Sequence, residues 1–250
     1  MGFSAKGREF MKRSVLIIVI AVLVSPLIAN VATADWRLFV WTYEYKIQER
    51  GTAEFEEYVT FSSPEADRMK GITAIEHQLE VEIGMSSRYD FAIYQVFKQA
   101  PEGALNYDGF KLRSRFLIGR QGEFYFDPLL YFEYKGKPDF SEHEIELKLI
   151  AARQFEKFLV SVNPILELKG NDEWETEIGY AIGTSYMISR ILKAGIEFKG
   201  NSDAHYIGPV ISHGQGNLWA AIGTAFAYGD TEDGKPELQI RFLMGIGLAD

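Results

Sequence analysis

The sequence predicts an all-β protein: a single antiparallel up-and-down transmembrane β-barrel of about 12 strands, with about 10 and about 14 as the alternatives. Three observations predict it. Apolar and polar residues alternate with strand period from residue 36 to the end, and no helical-period stretch of useful length interrupts them. Turn signals recur about every 15 to 18 residues, so the strands run to about 10 to 14 residues. Globular strands average about 5 to 6, whereas a tilted strand crosses a bilayer in about 9 to 11. The polar face is also heavily charged, as the inside of a water-filled barrel can be.

Composition narrows the class. The 250 residues carry 26 Lys+Arg against 35 Asp+Glu, a net charge of −9, which argues against nucleic acid as a partner. The chain has no cysteine, which excludes a disulfide scaffold, a thiol catalyst and a cysteine metal site. With 47% hydrophobic and 14% aromatic residues, the chain can fold as one domain.

The first element is a leader. Lys6, Arg8, Lys12 and Arg13 precede the apolar run Ser14–Ser25, and Ala32-Thr33-Ala34 supplies the small-x-small cleavage pattern. Residues 1–34 therefore read as a cleaved signal peptide and 35–250 as an exported barrel bound for the bacterial outer membrane. Candidate strands follow at 36–47, 52–61, 71–84, 88–98, 106–118, 123–135, 141–152, 156–169, 173–186, 189–200, 204–213, 217–229 and 236–248. The alternation is plain around Ile145, Leu147, Leu149 and Ala151, which oppose Glu142, Glu144, Glu146 and Lys148. Tight turns are marked by Ser86-Ser87, Arg120-Gln121-Gly122, Gly170-Asn171-Asp172, Gly200-Asn201-Ser202 and Gly214-Gln215-Gly216. An odd strand count would leave the two ends of the barrel on opposite rims. Residues 36–47 are the expected exception, lying along the rim or entering the lumen.

Alternation alone does not say which face is wet. A soluble periplasmic β protein would turn its apolar face inward; an outer-membrane barrel turns it to lipid. Strand length favours the membrane. So do aromatics read as interfacial girdles: Trp36, Trp41, Tyr43, Tyr45, Tyr58, Tyr134, Trp174 and Trp219. A ring of about a dozen strands also encloses more volume than one apolar side-chain layer fills.

Two stretches carry a family resemblance. Gly51-Thr-Ala-Glu-Phe-Glu-Glu-Tyr-Val-Thr-Phe61 resembles the Gly-x-x-Glu-hydrophobic-Glu opening strand of a group of uncharacterised bacterial outer-membrane barrels. Residues 76–94, an acidic strand, a turn with Arg88 and an apolar strand ending in Tyr94, are similar to their next hairpin. The resemblance is clearest over residues 36–98. It implies an outer-membrane barrel, sometimes described as transporter-like, with no catalytic residues. Such barrels often end in Phe, whereas this chain ends Gly247-Leu248-Ala249-Asp250.

The charged face supplies the candidate site. Lys111, Arg113 and Arg115 form a basic ladder, expected to pair with Glu123, Asp127 and Glu133 on the next strand. Beyond it lie Glu142, Glu144 and Glu146, then Glu173, Glu175 and Glu177; Glu76, Glu80, Glu82 and Arg241 share the same parity. The expected lumen is acid-biased, either a register-fixing set of ion pairs or a narrow pore favouring cations. The chain is too short for a 16-stranded porin, so any channel is small or plugged. A lipid-cleaving barrel would need a Ser–His–acid set. Ser141 and His143 share a parity, but no third group accompanies them. No catalysis, cofactor or metal is expected. The partners are outer-membrane lipid and a small solute or ion, and a monomer is the expected state.

Overall fold

The computed structural model describes residues 36–248 other than 172 and 230. The predicted leader at 1–34 lies outside the described residues. The described residues form twelve strands: β1 (Ala53–Ser63), β2 (Ala74–Ser86), β3 (Tyr89–Gln99), β4 (Leu105–Leu117), β5 (Asp127–Gly136), β6 (His143–Phe155), β7 (Phe158–Gly170), β8 (Trp174–Met187), β9 (Leu192–Gly200), β10 (His205–Gln215), β11 (Leu218–Tyr228) and β12 (Leu238–Gly247). Each pairs antiparallel with its sequence neighbours. β1 also pairs with β12, from Glu54 opposite Gly247 to Ser63 opposite Leu238, closing the ring.

The alternation sets which side chains enter. On β2, Glu80 and Glu82 are buried inside while Val81 and Ile83 are exposed outside. On β6, Glu146 is buried while Leu147 and Leu149 are exposed. Exposed apolar side chains also cover β3, β5, β9, β10 and β11, including Ile93, Leu130, Phe132, Ile196, Ile211 and Ile222. This inversion of the globular rule is what a membrane-spanning barrel requires.

Rows of aromatics border the apolar band. At one rim Tyr89 stacks on Phe116 with centroids 4.5 Å apart, and Phe158 meets Tyr186 at 4.8 Å. At the other rim Phe97 meets Tyr107 at 5.4 Å and Phe110 meets Tyr134 at 6.0 Å. These girdles differ in part from the ones expected. Tyr134 and Trp174 lie toward a rim, and Trp174 is exposed, but Trp41, Tyr43, Tyr58 and Trp219 are buried, and Trp36 packs against the same interior cluster. Aromatic side chains fill a lumen as well as a lipid interface, and spacing does not separate the two. The first rim carries short turns at 87–88, 156–157 and 216–217, with 118–126 as its longest connection. The second carries the long connections 64–73 and 229–237.

One expectation is met here and one corrected. Residues 36–47, the expected exception to the wall, run inside the barrel rather than along its rim. Leu38, Phe39, Val40 and Trp41 are consecutive and all buried, a pattern for a segment surrounded on every side rather than one with a wet face. The fifth wall strand begins at Asp127, not 123. Gly119 and Gly122 adopt φ values of 72° and 83°, turning residues 118–126 into a loop.

Candidate functional site

The lumen has two unlike halves. β8 to β12 present small or apolar residues inward, among them Gly183, Val210, Gly214, Ala221, Gly223 and Ala225. β1 to β7 present most of the charge. The N-terminal segment packs into the first half like knobs into holes. A Cβ at Gly183 would stand 2.7 Å from the Phe39 ring, one at Gly223 would stand 2.5 Å from Val40 Cγ2, and one at Gly214 would overlap the Trp36 indole.

Polar contacts hold the segment in place. The Glu197 carboxylate of β9 accepts three successive backbone N–H groups, from Val40 (3.0 Å), Trp41 (2.9 Å) and Thr42 (2.7 Å). Asn163 of β7 accepts the Tyr43 N–H at 2.6 Å, while Ser161 donates to the Tyr43 carbonyl at 2.6 Å. Asp90 of β3 accepts the Gln48 N–H at 2.9 Å. Arg241 donates to the Val40 carbonyl at 3.2 Å, and Arg37 to the Tyr58 hydroxyl at 2.7 Å. Over residues 40–43 and at 48, wall side chains replace the ladder partners that a strand would have used.

Beside this plug lies a buried ion network. Arg113, 1% exposed, reaches Glu80 at 2.9 Å and Glu82 at 2.5 Å, and donates to the Tyr94 hydroxyl at 2.6 Å. Arg115 pairs with Glu82 and with Asp90, the latter at 2.5 Å. The register explains the reach. Glu82, Ala92 and Arg113 stand in one row across β2, β3 and β4, and the alanine leaves room for the guanidinium to pass over β3.

Toward the rim of long connections the lumen opens into a vestibule of about 950 Å³, floored by Arg37, Val40, Trp41 and Tyr43. On the other side of the floor Trp36, Glu44, Lys46 and Arg115 close around a gap of about 10 Å³. The barrel is therefore occluded at the plug.

Most predicted site residues meet in this interior. Glu76, Lys111, Glu133, Glu144, Glu146 and Arg241 line the vestibule, with Glu142, Glu173, Glu175 and Glu177 around its upper wall. Glu80, Glu82, Arg113 and Arg115 lie in the buried network below. Asp127 is buried at the short-turn rim, where it accepts the Gly122 N–H at 2.7 Å. Glu123 is not in the lumen; it sits in the 118–126 loop and accepts the Arg120 N–H at 2.8 Å. Of the expected ladder pairs, Lys111–Glu133 forms at 3.4 Å. The two arginines turn instead to Glu80, Glu82 and Asp90.

The vestibule by itself is balanced, with ten Lys or Arg side chains against ten carboxylates, whereas below it Glu54, Glu56, Glu80, Glu82, Asp90 and Glu197 outnumber Arg113 and Arg115 among the buried side chains. Lys135 lies 2.5 Å from Glu144 and 3.5 Å from Glu146, Lys148 lies 2.8 Å from Glu146, and Lys169 lies 3.0 Å from Glu177. Two carboxylate triads, Glu56–Glu80–Glu82 and Glu144–Glu146–Glu167, are tight enough to consider for a cation. Arg113 enters the first and Lys135 and Lys148 enter the second, so protein charge already occupies both.

Sequence reasoning missed Glu197, Asn163, Asp90 and the lysines at 135, 148, 169 and 199. A signal was present for Glu197: a lone carboxylate inside Gly195-Ile-Glu-Phe198, on the inward parity of a strand with few inward carboxylates. The Ser141–His143 pairing does not form. Ser141 Oγ donates to Asp139 Oδ1 at 2.7 Å, and His143 Nδ1 meets Tyr134 Oη at 2.6 Å.

Fold and site together define the class: a plugged transmembrane β-barrel. No protein-family model matches the chain, and no curated protein sequence matches it. Among solved structures, the fold is similar to that of an outer membrane channel from Pseudomonas putida F1. The TM-score is 0.63 at 8% identity, over 84% of this chain and 100% of that one. It is also similar to the KdgM porin in complex with disordered oligogalacturonate, with a TM-score of 0.54 at 9% identity over 80% of this chain and 99% of that one. The NanC porin gives 0.51 at 9% identity, over 80% and 100%. At such identities the likeness is one of fold.

Proposed function

We propose that this protein is a bacterial outer-membrane channel of the small, transporter-like kind, exported by the leader at 1–34 and held shut by its own residues 36–48. One observation carries the reading. The plug fills the lumen but is bound to it largely by side chains, so it can leave without breaking a wall ladder. The similarity in fold to outer-membrane channels and porins supports the same reading. Bacterial barrels place short turns in the periplasm and longer loops outside, which opens the vestibule to the exterior. A small solute or ion enters there, outer-membrane lipid surrounds the wall, and the barrel acts as a monomer without catalytic chemistry or a cofactor.

The test is conductance in a planar bilayer with a tethered plug. Val40→Cys with Gly223→Cys puts two thiols within bonding reach in a chain that has no other cysteine. Current steps that vanish on oxidation and return on reduction are the expected result. A folded, reduced protein that never conducts, or an oxidised one that conducts equally, overturns the proposal.

A further inference from the structure

Seven of the ten cations lining the vestibule stand in an ion pair with a carboxylate. The other three are Arg37, Lys199 and Arg241, and all three gather at the floor. Lys199 bonds the Gln239 side-chain oxygen. Arg241 donates to Thr60 Oγ1 at 2.8 Å and to the Val40 carbonyl at 3.2 Å. Arg37 reaches carboxylates only through Tyr58, whose hydroxyl lies 2.7 Å from both Glu56 and Glu80.

The Trp41 ring brings two of them together, and Arg37, on the same plug segment as that ring, lies beside them. Lys199 and Arg241 both lie over the Trp41 ring, at 4.6 and 5.5 Å, and Arg37 lies over Tyr43 at 4.2 Å. Tyr206 stands beside Lys199, with the ammonium 5.0 Å from its ring. The nearest carboxylates, Glu76 on the facing wall and Glu197 two residues before Lys199, act on the cations through space without an ion pair: Gln78 donates to Glu76 at 2.5 Å and Lys98 lies 3.7 Å from it, while Glu197 holds the plug N–H groups.

Like charges held together in a partly desolvated cavity repel one another, and the direct hydrogen bonds of these three go to neutral oxygens, with the wall carboxylates acting only from a distance. From this geometry we infer a binding subsite on the vestibule floor for an organic anion, a carboxylate carried on a ring. The cations take the carboxylate, the aromatic floor takes the ring, and the volume is ample for a solute of that size. The inference deepens the channel reading and rests on the vestibule being the solute's entrance. It also makes the plug part of the subsite, since Arg37 and Trp41 belong to residues 36–48.

The test measures equilibrium binding to the folded protein in detergent, by calorimetry and by quenching of Trp41 fluorescence, with Trp41→Phe as the control. The probes are benzoate against benzamide and glucuronate against glucuronamide, each pair differing in charge at one group. The expected result is saturable binding of one acid at least, with its neutral twin at least tenfold weaker. The preferred acid shows whether the subsite takes an aromatic or a sugar ring. Lys199→Gln and Arg241→Gln should each weaken binding by about tenfold to a hundredfold, the worth of one charge-assisted hydrogen bond. Arg37→Gln lies outside the wall and repeats the test where barrel assembly is not at stake. Acid and amide binding alike, or variants that bind as the parent does, overturn the inference. Conduction without anion binding sinks the subsite and spares the channel; anion binding without conduction does the reverse.

Discussion

Replacing Glu197 with Gln is expected to unlatch the plug while leaving the barrel closed on itself. In the parent, Oε2 accepts the Val40 N–H, and Oε1 accepts those of Trp41 and Thr42. A glutamine keeps one oxygen and turns an NH₂ toward the third donor. One charge-assisted hydrogen bond is lost outright, about 1.5 to 3 kcal/mol, and the other two fall to neutral strength. With about 1 kcal/mol lost at each of those two, about 3.5 to 5 kcal/mol of latch energy disappears, which raises the ratio of open to closed plug by roughly 300-fold to 4,000-fold. Single-channel recording in a planar bilayer reads this as open probability at fixed voltage. The Val40→Cys/Gly223→Cys tether, oxidised in the Glu197→Gln background, should return it to the closed level. Two results would refute the reasoning: a folded Glu197→Gln protein with the parent's open probability, or one that stays open under the oxidised tether. Either outcome would place the barrier to conduction somewhere other than the plug.

Arg113→Gln should destabilise the barrel by about 3 to 5 kcal/mol, because it leaves Glu80, 0% exposed, without a cation and Glu82, 2% exposed, with Arg115 alone. Urea unfolding followed by tryptophan fluorescence measures it, and a change under about 0.5 kcal/mol would contradict the pairing. At the rim of long connections, Lys235 lies 2.6 Å from Asp203, and Ser202 donates to the same carboxylate at 2.8 Å. The Lys235 and Ser202 hydrogen bonds hold the Asp203 carboxyl below its ordinary value of 3.8. A depressed carboxyl stabilises the folded arrangement above its unfolded value and loses that contribution as pH falls through the folded one. The loop at 229–237 should therefore resist proteolysis at neutral pH and loosen below about pH 4. Asp203→Asn should show the loosened cleavage pattern already at pH 7, and equal cleavage of both proteins would contradict it.

Much of the wall was legible because a strand leaves a period of two in the chain. The predicted strand at 156–169 appears as Phe158–Gly170 and that at 173–186 as Trp174–Met187, with the same residues turned inward. Where local chemistry competed with periodicity, the reading slipped. The alternation of Phe124 and Phe126 with Glu123 and Tyr125 suggested a strand, but Gly119 and Gly122 in left-handed conformations made it a loop. The candidate site was legible in its parity and not in its pairing. Lys111 meets Glu133 as the adjacent strand requires, yet Arg113 passes over Ala92 to a carboxylate one strand further away. Side-chain reach in a curved lumen depends on the size of the intervening residue and on register, and neither is a nearest-neighbour property of the sequence.

The sequence by itself determined an antiparallel barrel of about a dozen long strands, apolar without and charged within, because alternation and strand length are written locally. It also marked residues 36–47 as an exception, since a closed ring with both ends at one rim needs an even number of strands. Only the tertiary structure decided that the exception is a plug. That outcome depends on Gly183, Gly214 and Gly223, on three separate strands, making hollows that fit Phe39, Trp36 and Val40. It also depends on Glu197 arriving, about 155 residues downstream, beside three backbone N–H groups with no strand to bind. Complementarity of that kind exists only once the barrel has closed and its opposite walls face one another.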